Sequence, residues 1–204
     1  MRTGSVAFAL QDHHGVVMKT PLTYGVIMAV ASALLTLGLF FAGFHDSVER
    51  IESGLGKFIA FVGPLAITIA CLALAMREKR ANTPADTSWG YGSALWTGVL
   101  TGLLAALFSA VFAYLYFAFI NPGMTEVLYQ AELAKLEAKG LSPEQIDRAE
   151  QFMRKMLSPG IVTVFQSIGG FLITVVLSLI IAIFYKNRAH VPASGDRAPP
   201  VLPA

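Results

Sequence analysis

The chain has 204 residues, of which 55% are hydrophobic and only 14% charged. Ordinary soluble domains carry roughly 25% charged residues, so the deficit points to lipid as the main solvent. A net charge of +2 without a basic stripe interleaved with aromatics excludes nucleic acid as a partner, and the single cysteine, Cys71, excludes an intrachain disulfide.

The apolar residues fall into four long runs, at 22–44, 58–76, 94–120 and 161–185, and none of them contains Asp, Glu, Lys, Arg or His. About 20 mostly apolar residues make a helix long enough to cross the hydrocarbon core. Barrel strands would instead alternate over segments of roughly 10 residues. The composition therefore predicts an all-α membrane protein with four transmembrane helices, and the lipid bilayer as its surroundings.

The first 17 residues match nothing around them. Met18-Lys19 is a natural start just before the first run, so residues 1–17 read as a short tail or a misassigned start. The first run is longer than the roughly 7–15 residues of a signal-peptide core, so it is read as a span although Ala29-Val30-Ala31 resembles a cleavage site. Pro64 sits inside the second run, where its missing N–H predicts a kink. Cys71, in the same run, reads as a small hydrophobe. Trp89, Tyr91 and Trp96 mark the entry of the third run and Tyr185 the exit of the fourth, the interfacial positions that amphipathic rings favour. At about 1.5 Å per residue the third run is roughly 40 Å long and must tilt or project.

Asn121-Pro122-Gly123 closes the third run and Ser158-Pro159-Gly160 precedes the fourth. Between them, residues 121–160 read as an amphipathic helical hairpin broken at Gly140. Ser142-Pro143-Glu144-Gln145 has the form of an N-cap, a first-turn proline and a capping-box glutamine. Ile146, Ala149, Met153, Met156 and Leu157 then share one helical face, opposite Asp147, Arg148, Gln151, Arg154 and Lys155. The segment after Arg188, rich in Pro and Ala, reads as a disordered tail over 189–204.

Four spans put both termini on one side. The two sides carry nearly equal numbers of basic residues, but the Arg77–Arg80 cluster and the Lys186/Arg188 pair abut their spans directly. Basic residues close to span ends weigh most in orientation. Both termini are therefore expected in the cytoplasm and the hairpin outside.

Chemistry-bearing motifs are absent from the sequence. There is no phosphate-binding loop, nucleophile elbow or zinc-protease helix, so no catalytic activity and no cofactor are expected. His13, His14, His45 and His190 show no metal-ligand spacing and read as solvated residues. Ionisable groups inside spans usually mark ion or proton pathways, and the four runs have none, which argues against a proton-coupled pump. Gln166, Ser109 and Tyr114 are the most polar span residues and read as helix–helix hydrogen-bonding groups.

Small residues recur at four-residue intervals: Gly98, Gly102, Ala106 and Ala110 in the third run, Gly170, Thr174, Ser178 and Ala182 in the fourth, and Gly25, Ala29 and Ala33 in the first. Such stripes let helix backbones approach closely in lipid. Gly98, Gly102, Ala106, Ala110, Gly170, Thr174 and Ser178 are the candidate helix-packing residues. Packing within one bundle, a homo-oligomer seam and a ligand cleft are the three readings open to them.

Several stretches, taken in order, carry a resemblance. They are Thr23-Tyr24-Gly25, Tyr91-Gly92 with Trp96-Thr97-Gly98, Ala113-Tyr114 through Phe119-Ile120-Asn121-Pro122, Leu141-Ser142-Pro143-Glu144-Gln145-Ile146, and Leu157-Ser158-Pro159-Gly160. On these the chain from 18 to 188 resembles an uncharacterised bacterial integral membrane protein family, domain of unknown function 4199. The resemblance implies four spans and a bacterial inner membrane, and it brings no functional residues. The reading is a multi-pass, non-enzymatic accessory or assembly component acting through helix packing, with no protein partner identified. The alternative is a small oligomeric transporter or channel for a neutral solute. A cluster of polar residues facing one intramembrane cavity would favour the transporter; a dry, tightly packed bundle would favour the accessory role.

Overall fold

Hydrocarbon offers the backbone no partners, so charge-free runs of this length must satisfy their N–H and C=O groups internally as helices. The computed structural model describes residues 4–84 and 87–186, with side chains from residue 18 onward. It is all-helical, with no strand among the described residues. The elements are α1 (Gly4–Phe41), α2 (Val48–Glu52), α3 (Gly54–Ala81), α4 (Tyr91–Leu115) continued by a π-helical turn (Tyr116–Ile120), α5 (Met124–Ala138), α6 (Pro143–Met156) and α7 (Pro159–Tyr185). Among the described residues four segments are long and apolar enough to cross a membrane: Met18–Phe41, Gly54–Ala81, Tyr91–Ile120 and Pro159–Tyr185. The backbone of α1 starts at Gly4 and so includes most of the stretch read as a tail. The Pro/Ala-rich segment 189–204 lies outside the described residues.

Two helix ends differ from the apolar runs for identifiable reasons. α1 stops at Phe41, inside its run, because Gly43 adopts φ 75°. The Gly43 N–H then reaches the Phe40 carbonyl at 2.9 Å and the Phe44 N–H the Leu39 carbonyl at 2.9 Å, the paired closure that a left-handed glycine permits. α3 starts before its run because the Ser53 hydroxyl accepts the Gly56 N–H at 3.0 Å and caps the first turn. At its other end α3 runs past the apolar stretch to include Glu78. The Thr20 hydroxyl donates to one Glu78 carboxylate oxygen at 3.2 Å, and the Tyr24 hydroxyl to the other at 2.8 Å, which ties α3 to α1.

The bundle is packed unevenly along the membrane normal. α4 packs extensively on α1 and α7, and α3 packs on all three, while α1 and α7 hardly touch each other. Buried side chains concentrate near the face that carries the α3–α4 connection. Met28, Cys71, Leu72 and Ala105 form one cluster, with Ile67, Leu177 and Ile181 against it. Met76, Ala94 and Ala182 form a second, with Trp89 and Tyr185 against it. The Trp89 indole donates to the Tyr185 carbonyl at 2.7 Å, so the start of α4 and the end of α7 lie at one level. Toward the opposite face the core thins: no residue of α1 from 30 to 41, of α3 from 57 to 70, or of α7 from 164 to 173 is buried.

The hairpin caps that loosely packed end. Ser142 and Gln145 form the reciprocal capping box that their spacing predicts. Ile146, Ala149, Met153, Met156 and Leu157 are half-buried, whereas Asp147, Arg148, Gln151, Arg154 and Lys155 are exposed. Tyr129 and Ala131 of α5 are buried, and the Arg154 guanidinium stacks over the Tyr129 ring, 4.3 Å from its centroid. Such a hairpin is too small for its own core. Glu52 of α2 tethers it, bridging Lys57 of α3 and Lys135 of α5, the latter at 3.2 Å. Hydrogen bonds from Lys57 and then Lys135 hold the Glu52 carboxyl below the usual carboxylate range.

Candidate functional site

Where the core thins, the four spans enclose a cleft of about 340 Å³. That is at the small end of ordinary ligand pockets, roughly 300–1,000 Å³. Its walls come from the later turns of α1, the early turns of α3, the later turns of α4 and the early turns of α7, with Met124 and His45 at the end beside the hairpin. The Met28–Leu72–Ala105 cluster closes the other end.

Polar groups are spread around an otherwise apolar lining. Ser32 and Thr36 come from α1, Thr68 from α3, Ser109 from α4, and Gln166, Ser167 and Thr174 from α7. The hydroxyls of Thr36, Thr68 and Thr174 donate to the carbonyls one turn back, those of Ser32 at 3.0 Å, Pro64 at 2.8 Å and Gly170 at 2.9 Å. Their oxygens keep lone pairs to accept from a ligand. The side chains of Ser32, Ser109, Gln166 and Ser167 make no hydrogen bond to another described residue, so donors are also on offer. Pro64 has no N–H to give the Ala60 carbonyl, and both residues line the cleft.

The hairpin end of the cleft is built around Tyr116, which is only 2% exposed. Its hydroxyl accepts from Asn121 Nδ2 at 3.0 Å and lies 2.5 Å from His45 Nδ1. The chain is complete when Asn121 donates to Tyr116 and Tyr116 to a neutral imidazole. Burial holds the His45 pKa below 6.5, against a smaller upward pull from Asp46. Phe40, His45 and Phe117 meet the Tyr116 ring edge-on, at interplanar angles of 89°, 77° and 79°. The π-helical turn that starts at Tyr116 closes with the Asn121 N–H on the Tyr116 carbonyl at 2.7 Å. The wider turn brings Asn121 back to Tyr116 and forms part of the cleft wall.

The predicted packing residues divide between two places. Gly98 and Gly102 lie against Ser178 and Thr174 of α7 in the same chain: a β-carbon on Gly98 would sit 2.5 Å from Ser178 Oγ, and one on Gly102 would overlap the Thr174 side chain. Ala106 and Gly170 line the cleft, as Gly102 and Thr174 also do where the two places meet, while Ala110 is half-buried outside its lining. Among the polar span residues singled out from the sequence, Ser109 and Gln166 line the cleft. Tyr114 is 48% exposed and packs edge-on with Phe119. His45, read as solvated, is instead half-buried on the Tyr116 ring. Ser32, Thr36, Thr68, Ser167 and Tyr116 line the cleft as well, outside that selection. The four-residue spacing of Ser32 and Thr36 is the signal that puts two hydroxyls on one face of α1. No group of three or more His, Cys, Asp or Glu that could hold a metal occurs among the described residues.

The model of a family described as a protein of unknown function (DUF4199) matches residues 23–187, and the chain belongs to that family. No curated protein and no solved structure matches it.

Proposed function

We infer that this member of the DUF4199 family is a non-enzymatic membrane protein whose four-span bundle binds a small neutral solute in the cleft, as a transporter or channel subunit. The observation that carries this reading is the lining. Eight hydroxyl or amide side chains from all four spans, Tyr116 among them, converge on one intramembrane space that no carboxylate or amine enters. Polar side chains in hydrocarbon are costly unless they are paired, so unpaired Ser32, Ser109, Gln166 and Ser167 are what a hydrogen-bonding occupant would satisfy. A formal charge on that occupant would find no counter-ion in the lining, which favours a neutral one.

The accessory or assembly role rests on helix packing alone. The stripe at Gly98 and Gly102 is used against α7 of the same chain, which leaves that role with less support. The proposed setting is a bacterial inner membrane, with both termini cytoplasmic and the hairpin on the outer side.

The reading is tested by flux in proteoliposomes. Purified protein is expected to accelerate equilibration of one or more members of a panel of small neutral solutes, glycerol among them. Ala106→Phe should fill the cleft from the α4 wall and abolish that flux in a protein that still melts cooperatively. Failure to accelerate any solute, together with no thermal stabilisation by any of them, would overturn it.

A further inference from the structure

Three of the four seams around the cleft are closed by named contacts. Between α1 and α3, Leu35 packs so tightly on Gly63 that a β-carbon there would sit 2.6 Å from its methyl. Between α1 and α4, the Phe40 and Tyr116 rings meet edge-on at 6.1 Å. Between α4 and α7, Thr174 and Phe171 close on Gly102. The fourth seam, between α3 and α7, is different. Its packing lies below the cleft, where Leu177, Ile181 and Ala182 meet the clusters of Leu72 and Met76.

Beside the cleft each helix of that seam touches its other neighbour, Gly63 of α3 on Leu35 and Phe171 of α7 on Gly102, but neither holds a buried residue. Over α3 from 57 to 70 and α7 from 164 to 173 no residue is buried. Yet one stripe of each faces the cleft: Ala60, Pro64 and Thr68 on α3, and Gln166 and Gly170 on α7. Phe61, Phe165, Ile168 and Leu172, on other faces of the same turns, are 54–71% exposed, as lipid-facing residues are. An opening along that seam would join the cleft to the hydrocarbon sideways, at the depth of the polar lining.

We propose that the cleft takes a neutral amphiphile from the membrane through the α3–α7 seam, holding its hydroxyl-bearing head on Ser109 and Gln166 while its hydrocarbon chain extends into the lipid. This rests on the solute-binding reading and specifies the solute. A cleft of about 340 Å³ holds a head group and not a whole lipid, so the chain must leave by an opening. Only a neutral head suits a lining without carboxylate or amine, and only an apolar chain suits an exit flanked by Phe61, Phe165 and Leu172. A water-soluble solute would have no use for the side opening.

The test is photolabelling of the full-length protein in lipid nanodiscs. The probe is a sixteen-carbon primary alcohol bearing a diazirine next to the hydroxyl end, compared with the matching fatty acid. The alcohol should label peptides containing Ser109 and Gln166 above those of the lipid-facing turns, and the ionised acid should label them several-fold less. Ala106→Phe, which fills the cleft, and Gln166→Leu, which leaves its shape nearly intact, should each lower labelling of the remaining cleft peptide several-fold. Ala110→Phe, outside the lining, should not. Labelling confined to lipid-facing residues, or unchanged by both cleft variants, overturns the proposal. If glycerol flux persists under that result, the amphiphile is wrong and the solute-binding reading stands; if flux is absent too, both fall.

Discussion

Gly102 of α4 lies directly against Thr174 of α7, with no room between them for a β-carbon. One turn earlier Gly98 stands in the same relation to Ser178, whose buried hydroxyl makes no hydrogen bond, and to Met76 of α3. Three helices thus meet where two glycines remove the side chains between them. Overpacking such a contact typically costs about 1–3 kcal/mol. Gly98→Ile and Gly102→Ile should each lower Tm in detergent, and the double variant should lower it further. Both stripes belong to one chain, so any crosslinked oligomer should keep its yield among the molecules that remain folded. An unchanged Tm would remove the glycines from the contact; loss of crosslinking at constant Tm would move the contact to a subunit interface.

The spans were legible because each is longer and more apolar than any soluble helix needs, and a charge-free run leaves lipid as the only consistent surroundings. The hairpin was legible because the capping box of Ser142 and Gln145 and the sidedness from Ile146 to Leu157 are local properties. The small-residue spacing also marked the face of α4 that meets α7. The cleft was not legible. Whether Ser32, Thr68, Ser109 and Gln166 face one another or four different neighbours depends on how each helix is rotated, which no single run encodes. His45 and Tyr116 are 71 residues apart, and only the π-helical turn after Leu115 brings Tyr116, Asn121 and His45 together. The end of α1 at Phe41 depends on the φ of Gly43, to which hydropathy is blind.

Orientation is open to a direct measurement. The Arg77–Arg80 cluster at the end of α3 and Lys186 at the end of α7 lie on one face of the bundle, where Arg80 sits 5.8 Å from the Tyr185 ring centroid. A reporter active only outside the cytoplasm, fused after Lys139, should be active, and the same reporter fused after Arg188 should be silent. The inverse pattern would turn the cleft's hairpin end toward the cytoplasm while leaving the four spans untouched.

Tyr116 separates two contributions that can be measured apart. Tyr116→Phe keeps the ring and its edge-on contacts with Phe40 and Phe117 but leaves Asn121 Nδ2 and His45 Nδ1 without their common partner. Removing one partner from a buried polar group costs about 1–3 kcal/mol. Tyr116→Ala also removes the buried ring, and truncations of buried aromatics cost about 3–5 kcal/mol. Thermal unfolding should therefore rank wild type above Tyr116→Phe, and Tyr116→Phe well above Tyr116→Ala. Equal losses for the two variants would mean that the ring contributes nothing and the hydroxyl everything.

His45 should make the hairpin end of the cleft acid-sensitive, and the sign follows from its surroundings. Burial lowers its folded pKa below 6.5, although Asp46 pulls the other way. The unfolded chain therefore binds a proton in a range of pH where the folded chain does not. The stability that His45 contributes is complete above the unfolded value of 6.5 and is lost as pH falls from there through the folded pKa. Protonation also turns Nδ1 from an acceptor into a donor, which takes away the place where the Tyr116 hydroxyl delivers its proton. Tm of the wild type should fall between about pH 7.5 and 5.5, the range in which histidines titrate. His45→Gln keeps a neutral acceptor within reach of Tyr116 and should flatten that part of the profile. A wild-type Tm that stays level across the range, or a fall equally steep in His45→Gln, would show that His45 is not the group that titrates.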